Sequence, residues 1–163
     1  MLLWDIRLEV GHSVRTIQEC VNEATNDITV ITNIMEARLV AGSERLFASM
    51  KEQTSADYLW DSRTFFQAKL EEQILRNGKF NDTAYNLEPN LKESRGGLRD
   101  IQMIGWVAKR HFNANSLNDL VKEKFLLLEE LNTLLDGQHL LWRIRCSLHY
   151  LTGRREDRLL FDY

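Results

Sequence analysis

A single proline, Pro89, stands in a chain of 163 residues, with only eight glycines. Proline breaks a helix interior, and glycine weakens one by about 1 kcal/mol. A chain nearly free of both can run long uninterrupted helices, and its composition argues against a turn-rich β-sandwich. Hydrophobic residues make up 44 %, enough for a core, and charged residues 28 %, enough to solvate its surface. The net charge of −3 argues against a general nucleic-acid binder, which is usually basic. Cys20 and Cys146 lie far apart in helical patterns, with no second ligand at metal spacing, and read as reduced core thiols. No apolar run approaches the roughly 20 residues of a membrane span, and no charged-then-apolar leader opens the chain. A soluble, cytoplasmic protein is expected.

The apolar spacing predicts a succession of helices. Thr16 and Glu19 form a capping box, followed by Ile17, Cys20, Val21 and Ala24 on one face. Asp27 caps a second helix carrying Ile28, Ile31, Met35 and Leu39, which Gly42 would end. Ser43 caps a short helix to about Glu52. Asp61 or Ser62 opens another, with Phe66, Leu70 and Ile74 on one face and Gly78 beyond its end. After a long loop, Ile101, Ile104, Val107 and Ala108 face inward. Leu126–Leu151 is one long helix, or two broken near Gly137, striped by Leu127, Leu131, Leu134, Leu141, Ile144 and Leu148. Trp106 and Trp142 fall near these stripes and read as core. Short connections imply a helical bundle. Only Arg7–Val14 alternates like a strand, and Gly11 interrupts it. A lone strand cannot satisfy its backbone groups, so its sheet is expected upstream and missing.

The loop, roughly 79–97, exceeds the usual length for a plain connection. Its stretch Asn86–Ile101, NLEPNLKESRGGLRDI, gathers Glu88, Lys92, Glu93, Arg95, Arg99 and Asp100 around Gly96-Gly97 at a helix entrance. Paired glycines let backbone approach a ligand, and a helix N-terminus offers free N–H groups and positive partial charge. Lys92 and Arg99 suit phosphate, and Asp100 suits a ribose hydroxyl or a metal-bound water. The same residues also fit a tight turn with surface charges in the first helical turn. The glycine spacing is not that of a Walker loop. Elsewhere, His12, Ser13 and Arg15 follow the expected strand, where Arg15 meets either a phosphate or a surface salt bridge. His111, His139 and His149 read as structural or surface groups. Arg143 and Arg145, two apart, face different directions. Arg154, Arg155 and Arg158 complement the negative helix end or bind phosphate.

The loop resembles the signature of the bacterial protein-PII uridylyltransferases, N-L-E-P through G-G-L-R-D-I. Arg95 stands where that family usually has proline. A second match is Leu141–Asp162, LWRIRCSLHYLTGRREDRLLFD. A third is Leu3–Thr16, LWDIRLEVGHSVRT, followed by Asp27–Gly42, DITVITNIMEARLVAG. The resemblance covers nearly the whole chain, with the motifs in the family's order. It implies an enzyme that transfers UMP from UTP to a tyrosine of the signalling protein PII, with magnesium clamping the phosphates. It also implies a separate hydrolase domain and small-molecule-sensing domains. The family's metal site uses a Gly-Gly or Gly-Ser turn followed by an Asp-x-Asp pair, and no Asp-x-Asp occurs here. After Gly42-Ser43 the aspartates are Asp57 and Asp61, four apart, and the glycine reads as a helix end. No His-Asp dipeptide suggests the hydrolase. Asp27, Glu9 and Asp5 are candidates for a third metal carboxylate, although Asp27 also reads as a helix cap.

The expected fold is therefore mainly α, a helical bundle with a short β remnant at its N-terminus. Residues 1–26 would be the tail of a nucleotidyltransferase domain, and 27–163 the helical domain behind it. The isolated chain is expected to be inactive. PII and UTP are its expected partners, nucleic acid and membrane are not, and Lys92, Gly96, Gly97, Arg99, Asp100, His12, Ser13 and Arg15 are its candidate nucleotide contacts. Two other readings fit the same residues: a helical domain like that of the glutamine-synthetase adenylyltransferases, which share a similar Gly-Gly turn, and a non-catalytic module that binds a protein.

Overall fold

The computed structural model describes residues 5, 6, 8, 10–79, 87–114 and 116–163. Among the described residues seven helices run in order: α1 Ile17–Asn26, α2 Ile28–Met35, α3 Glu44–Gln53, α4 Ser62–Lys79, α5 Leu98–Phe112, α6 Leu117–Lys122 and α7 Leu128–Thr152. They fall into two compact units, Met1–Ser55 and Ala56–Tyr163.

In the first unit the caps form where the sequence places them. The Thr16 hydroxyl accepts the Glu19 N–H at 3.2 Å, and the Glu19 carboxylate accepts the Thr16 N–H at 2.7 Å. Asp27 serves two helices. Its N–H closes α1 on the Glu23 carbonyl at 3.0 Å, and its carboxylate opens α2 by accepting the Thr29 N–H at 2.6 Å. Ala24 and Ile31 are fully buried. α2 stops at Met35, short of the end expected at Gly42. The Lys51 ammonium accounts for this, since it donates to the Ile34 and Met35 carbonyls at 2.9 Å each and caps the helix there. Gly42, at φ +118°, instead turns the chain into the Ser43 cap of α3.

The expected N-terminal strand does not form. Among the described residues there is no strand or sheet, and residues 10–16 are irregular; Arg7 and Glu9 lie outside the described residues. Among the described residues no strand pairs with this segment, so its backbone groups have no ladder to join. The two described segments that do pair make a single antiparallel bridge, Asn90 with Arg158.

In the second unit, Asp61 caps α4 by accepting the Arg63 and Thr64 N–H groups. α4 turns a different face inward from the apolar spacing. Phe65 and Lys69 are buried, while Phe66, Leu70 and Ile74 are 44 %, 38 % and 60 % exposed. Buried cations on aromatic faces explain the choice. Lys69 lies 4.6 Å from the Trp106 ring centre and pairs with Glu72 at 2.7 Å, and the Arg110 guanidinium sits 5.3 Å from the centre of Phe65. α4 runs through Gly78 rather than ending before it. α7 is unbroken at Gly137, burying Leu131 and Leu148 but leaving Leu127 exposed. Ala108, Ala114 and Leu120 form a small core with Phe112, Leu117 and Leu126. Trp142 and Cys146 are exposed rather than core, whereas Trp106 and Cys20 are half-buried.

Candidate functional site

The segment 87–100 builds its own scaffold before it meets anything else. The Asn90 carboxamide oxygen accepts the N–H groups of Lys92 and Glu93 at 3.0 and 2.8 Å, forming an Asx turn. The Ser94 hydroxyl accepts the Asn90 N–H, and the Asn90 carbonyl accepts the Ser94 N–H. The chain then folds back under the start of α5. The N–H groups of Gly97, Leu98, Arg99 and Asp100 donate to the carbonyls of Ser94, Leu91, Lys92 and Gly97, at 2.8 to 3.0 Å. The N–H groups that the sequence leaves free for an anion are therefore taken by the loop itself.

Both glycines follow from this fold-back. Gly96 adopts φ +76°, a conformation that favours glycine. A Cβ on Gly97 would lie 2.8 Å from the Ser94 carbonyl oxygen, 2.9 Å from that of Lys92 and 3.0 Å from that of Leu91. The close backbone approach is thus to the loop's own carbonyls. Asp100 is equally committed. Its carboxylate accepts the Gly96 N–H at 2.8 Å and the Gln73 carboxamide at 2.9 Å, and it forms a short contact with the Arg76 guanidinium. It locks the glycine turn to α4.

The tail closes over this loop. The Leu91 N–H donates to the Asp157 carbonyl at 2.8 Å, the Leu159 N–H to the Pro89 carbonyl at 2.9 Å, and the Phe161 N–H to the Glu88 carboxylate at 3.3 Å. The two strings NLEPN and RLLFD therefore touch. The Asp157 side chain anchors the junction to α7, accepting from Arg145 Nε at 2.6 Å and sharing a 3.0 Å contact with His149 Nε2. Burial pushes the Asp157 carboxyl up. The hydrogen bonds from Arg145 and His149, with the charges of Arg145 and Lys92, outweigh it and hold the group below its usual range. Sequence reading missed Asp157. Its only signal was the spacing of Arg145, His149 and Asp157 across the end of a helix.

Of the loop's cations, Arg95 is exposed and Lys92 and Arg99 are half-buried. Lys92 and Arg99 both reach the Glu93 carboxylate, at 3.3 and 3.4 Å, and Arg99 also donates to Gln102 and lies 5.6 Å from the Trp106 ring centre. The cluster carries one net positive charge. In the first unit, His12, Ser13 and Arg15 line one open cavity of about 640 Å³ with Cys20 and Asn33. The structure thus brings the eight candidate residues together as two groups, one in each unit.

No group of three or more His, Cys, Asp and Glu side chains comes together among the described residues. The Asp27 carboxylate caps α2, Asp5 is exposed, and Glu9 lies outside the described residues. Of the histidines, His111 shares a 2.6 Å hydrogen bond with Ser62, and His149 serves Asp157.

A family model described as GlnD PII-uridylyltransferase matches residues 64–163. Over 161 residues, 99 % of the chain, it is 56 % identical to a bifunctional uridylyltransferase/uridylyl-removing enzyme of Nitrosococcus oceani. The enzymes of the same name from Ectopseudomonas mendocina and Idiomarina loihiensis are 55 % and 50 % identical, again over 99 % of the chain. The chain spans only 18 % of the length of each of these relatives. No solved structure matches the chain.

Proposed function

The chain belongs to the PII-uridylyltransferase family, and we propose that it is the part of such an enzyme that shapes and charges the nucleotide site without carrying out the transfer. On this reading the whole protein moves UMP from UTP to a tyrosine of PII in the cytoplasm, with magnesium bound by acids outside the chain. A separate domain removes the UMP. Residues 1–26 belong to the transferase domain and 27–163 to the helical domain behind it.

The observation that carries this reading is the closed start of α5. Every N–H from Gly96 to Asp100 already has a partner within the loop or α5. Gly96, Gly97 and Asp100 then act by holding the loop, not by touching nucleotide. Candidate phosphate contacts are then side chains, taken separately in each unit: His12, Ser13 and Arg15 around their cavity in the first, Lys92 and Arg99 in the loop of the second. Arginine matches a phosphate with two parallel donors, and Arg99 already gives donors to Gln102 and Glu93, which makes Arg15 the strongest of these groups. No helix among the described residues is long and apolar enough to cross a membrane.

The test is an assay with the chain, PII, UTP and magnesium. No uridylylated PII above a blank without the chain is expected. Labelled PII above that blank overturns the division of labour.

A further inference from the structure

Lys92 and Arg99 converge on one point. The Lys92 ammonium and the Arg99 Nη2 approach the same Glu93 oxygen, Oε1, at 3.3 and 3.4 Å. Charge-assisted contacts close to about 2.7–2.9 Å when they are well made. Glu93 therefore holds both cations loosely. The Lys92, Arg99 and Glu93 side chains are 35 %, 26 % and 25 % exposed, so an ion from solvent can reach them.

The cations are firmly mounted. The Arg99 N–H donates to the Lys92 carbonyl at 2.9 Å, which sets the two residues side by side. The Asn90 carboxamide oxygen fixes the Lys92 and Glu93 N–H groups. The Arg99 guanidinium is also held by Gln102, which accepts from Nη1 at 2.9 Å, and by the Trp106 ring, whose centre lies 5.6 Å from Cζ. The Glu93 carboxylate reaches the cations on a flexible side chain. It can leave them while the Glu93 N–H stays bound to Asn90.

Glu93 offers this point one oxygen, whereas a phosphate offers several. Arginine meets a phosphate with two parallel donors, and lysine adds a point charge. We propose that Lys92 and Arg99 form a receptor for a phosphoryl oxyanion, with Glu93 as its resting occupant, displaced when the phosphate arrives. The proposal rests on the reading of these cations as phosphate contacts and adds the group that regulates them. Two cations aimed at one point repel each other, and Glu93 offsets that repulsion until a phosphate takes its place.

The probe is inorganic tripolyphosphate, titrated without magnesium into the isotope-labelled chain and followed by the amide resonances of Lys92, Glu93 and Arg99. Saturable shifts at these amides are expected. Glu93→Gln should tighten the binding about fivefold at low salt, and less at high salt, since the phosphate no longer competes with a carboxylate. Glu93→Ala should give the same gain. Both variants keep the Asx turn, which uses only backbone N–H groups and Asn90. Arg99→Ala should weaken binding about threefold and cancel most of the gain when combined with Glu93→Gln. Glu71→Gln, which neutralises an exposed acid on α4, controls for net charge and should change nothing. Unchanged or weaker binding in both Glu93 variants, or an equal gain from Glu71→Gln, overturns the displacement but leaves the cations as phosphate contacts. No shift at the three amides in any form of the chain overturns both readings. Equally tight binding of glutarate, a dicarboxylate, overturns the phosphate as ligand, since an acidic protein side chain would then fit as well.

Discussion

Gly97→Ala is the sharpest perturbation of the loop. Its Cβ would meet three backbone carbonyl oxygens at 2.8 to 3.0 Å, closer than carbon and oxygen tolerate. Those oxygens belong to Ser94, Lys92 and Leu91, and each accepts an N–H from the start of α5. Backbone cannot swing aside as a flexible side chain does, so relief must lengthen those hydrogen bonds. Forced overpacking costs about 1–3 kcal/mol, and each bond lost adds about 1 kcal/mol. A loss of roughly 3 kcal/mol is expected. Gly96→Ala separates this effect from simple backbone preference. A Cβ there meets nothing within 4 Å, and the left-handed backbone costs about 1–2 kcal/mol. Urea unfolding followed by circular dichroism measures both. A Gly97→Ala chain as stable as Gly96→Ala would refute the view that the glycine pair exists to let the loop close on α5.

Other outcomes follow from the same contacts. Asp157→Asn should cost about 1–2 kcal/mol, since its partners are only partly buried, and should speed hydrogen exchange at the Leu91 and Leu159 amides. The folded Asp157 carboxyl is held below its ordinary value, so its contribution is complete above the usual carboxylate range. That contribution should disappear as pH falls through the lowered folded value, and the acid limb of a stability–pH curve should flatten in Asp157→Asn. Arg110 is 6 % exposed, and its Nε and Nη2 lack hydrogen-bond partners among the described residues. Arg110→Met removes those two unpartnered groups but also the Phe65 contact and the hydrogen bond to the Leu59 carbonyl, so a net loss of about 1–2 kcal/mol is expected, and a loss above about 4 kcal/mol in the same unfolding assay would contradict this.

Much of this was legible from local chemistry. The caps at Thr16, Asp27, Ser43 and Asp61 depend on residues within three positions, and each forms as the sequence suggests. The strand at 7–14 was not reliable, because alternation describes a face and supplies no partner. The inner face of α4 was hidden for a different reason. Phe65 and Lys69 displace the apolar stripe only because Trp106 and Arg110, distant in sequence, provide aromatic and cationic partners. Lys51 is similar, ending α2 from the next helix. At the candidate site, the glycine pair was found by its string, but its role was not. Spacing shows that Gly96-Gly97 precedes a helix, while only the fold shows that Leu91, Lys92 and Ser94 fill the N–H groups a phosphate would use. Asp157 escaped because its importance comes from the pairing of two distant motifs.

The most direct test of the account is calorimetric titration of UTP with magnesium into the chain, beside two variants, Arg15→Ala and Arg99→Ala with Asp100→Ala. Saturable binding weakened roughly tenfold by Arg15→Ala is predicted, the loss of a charge-assisted phosphate contact. The Arg99/Asp100 pair should weaken it by less. Binding that survives Arg15→Ala and disappears in the Arg99/Asp100 double variant would contradict the account and return the nucleotide to the Gly-Gly turn.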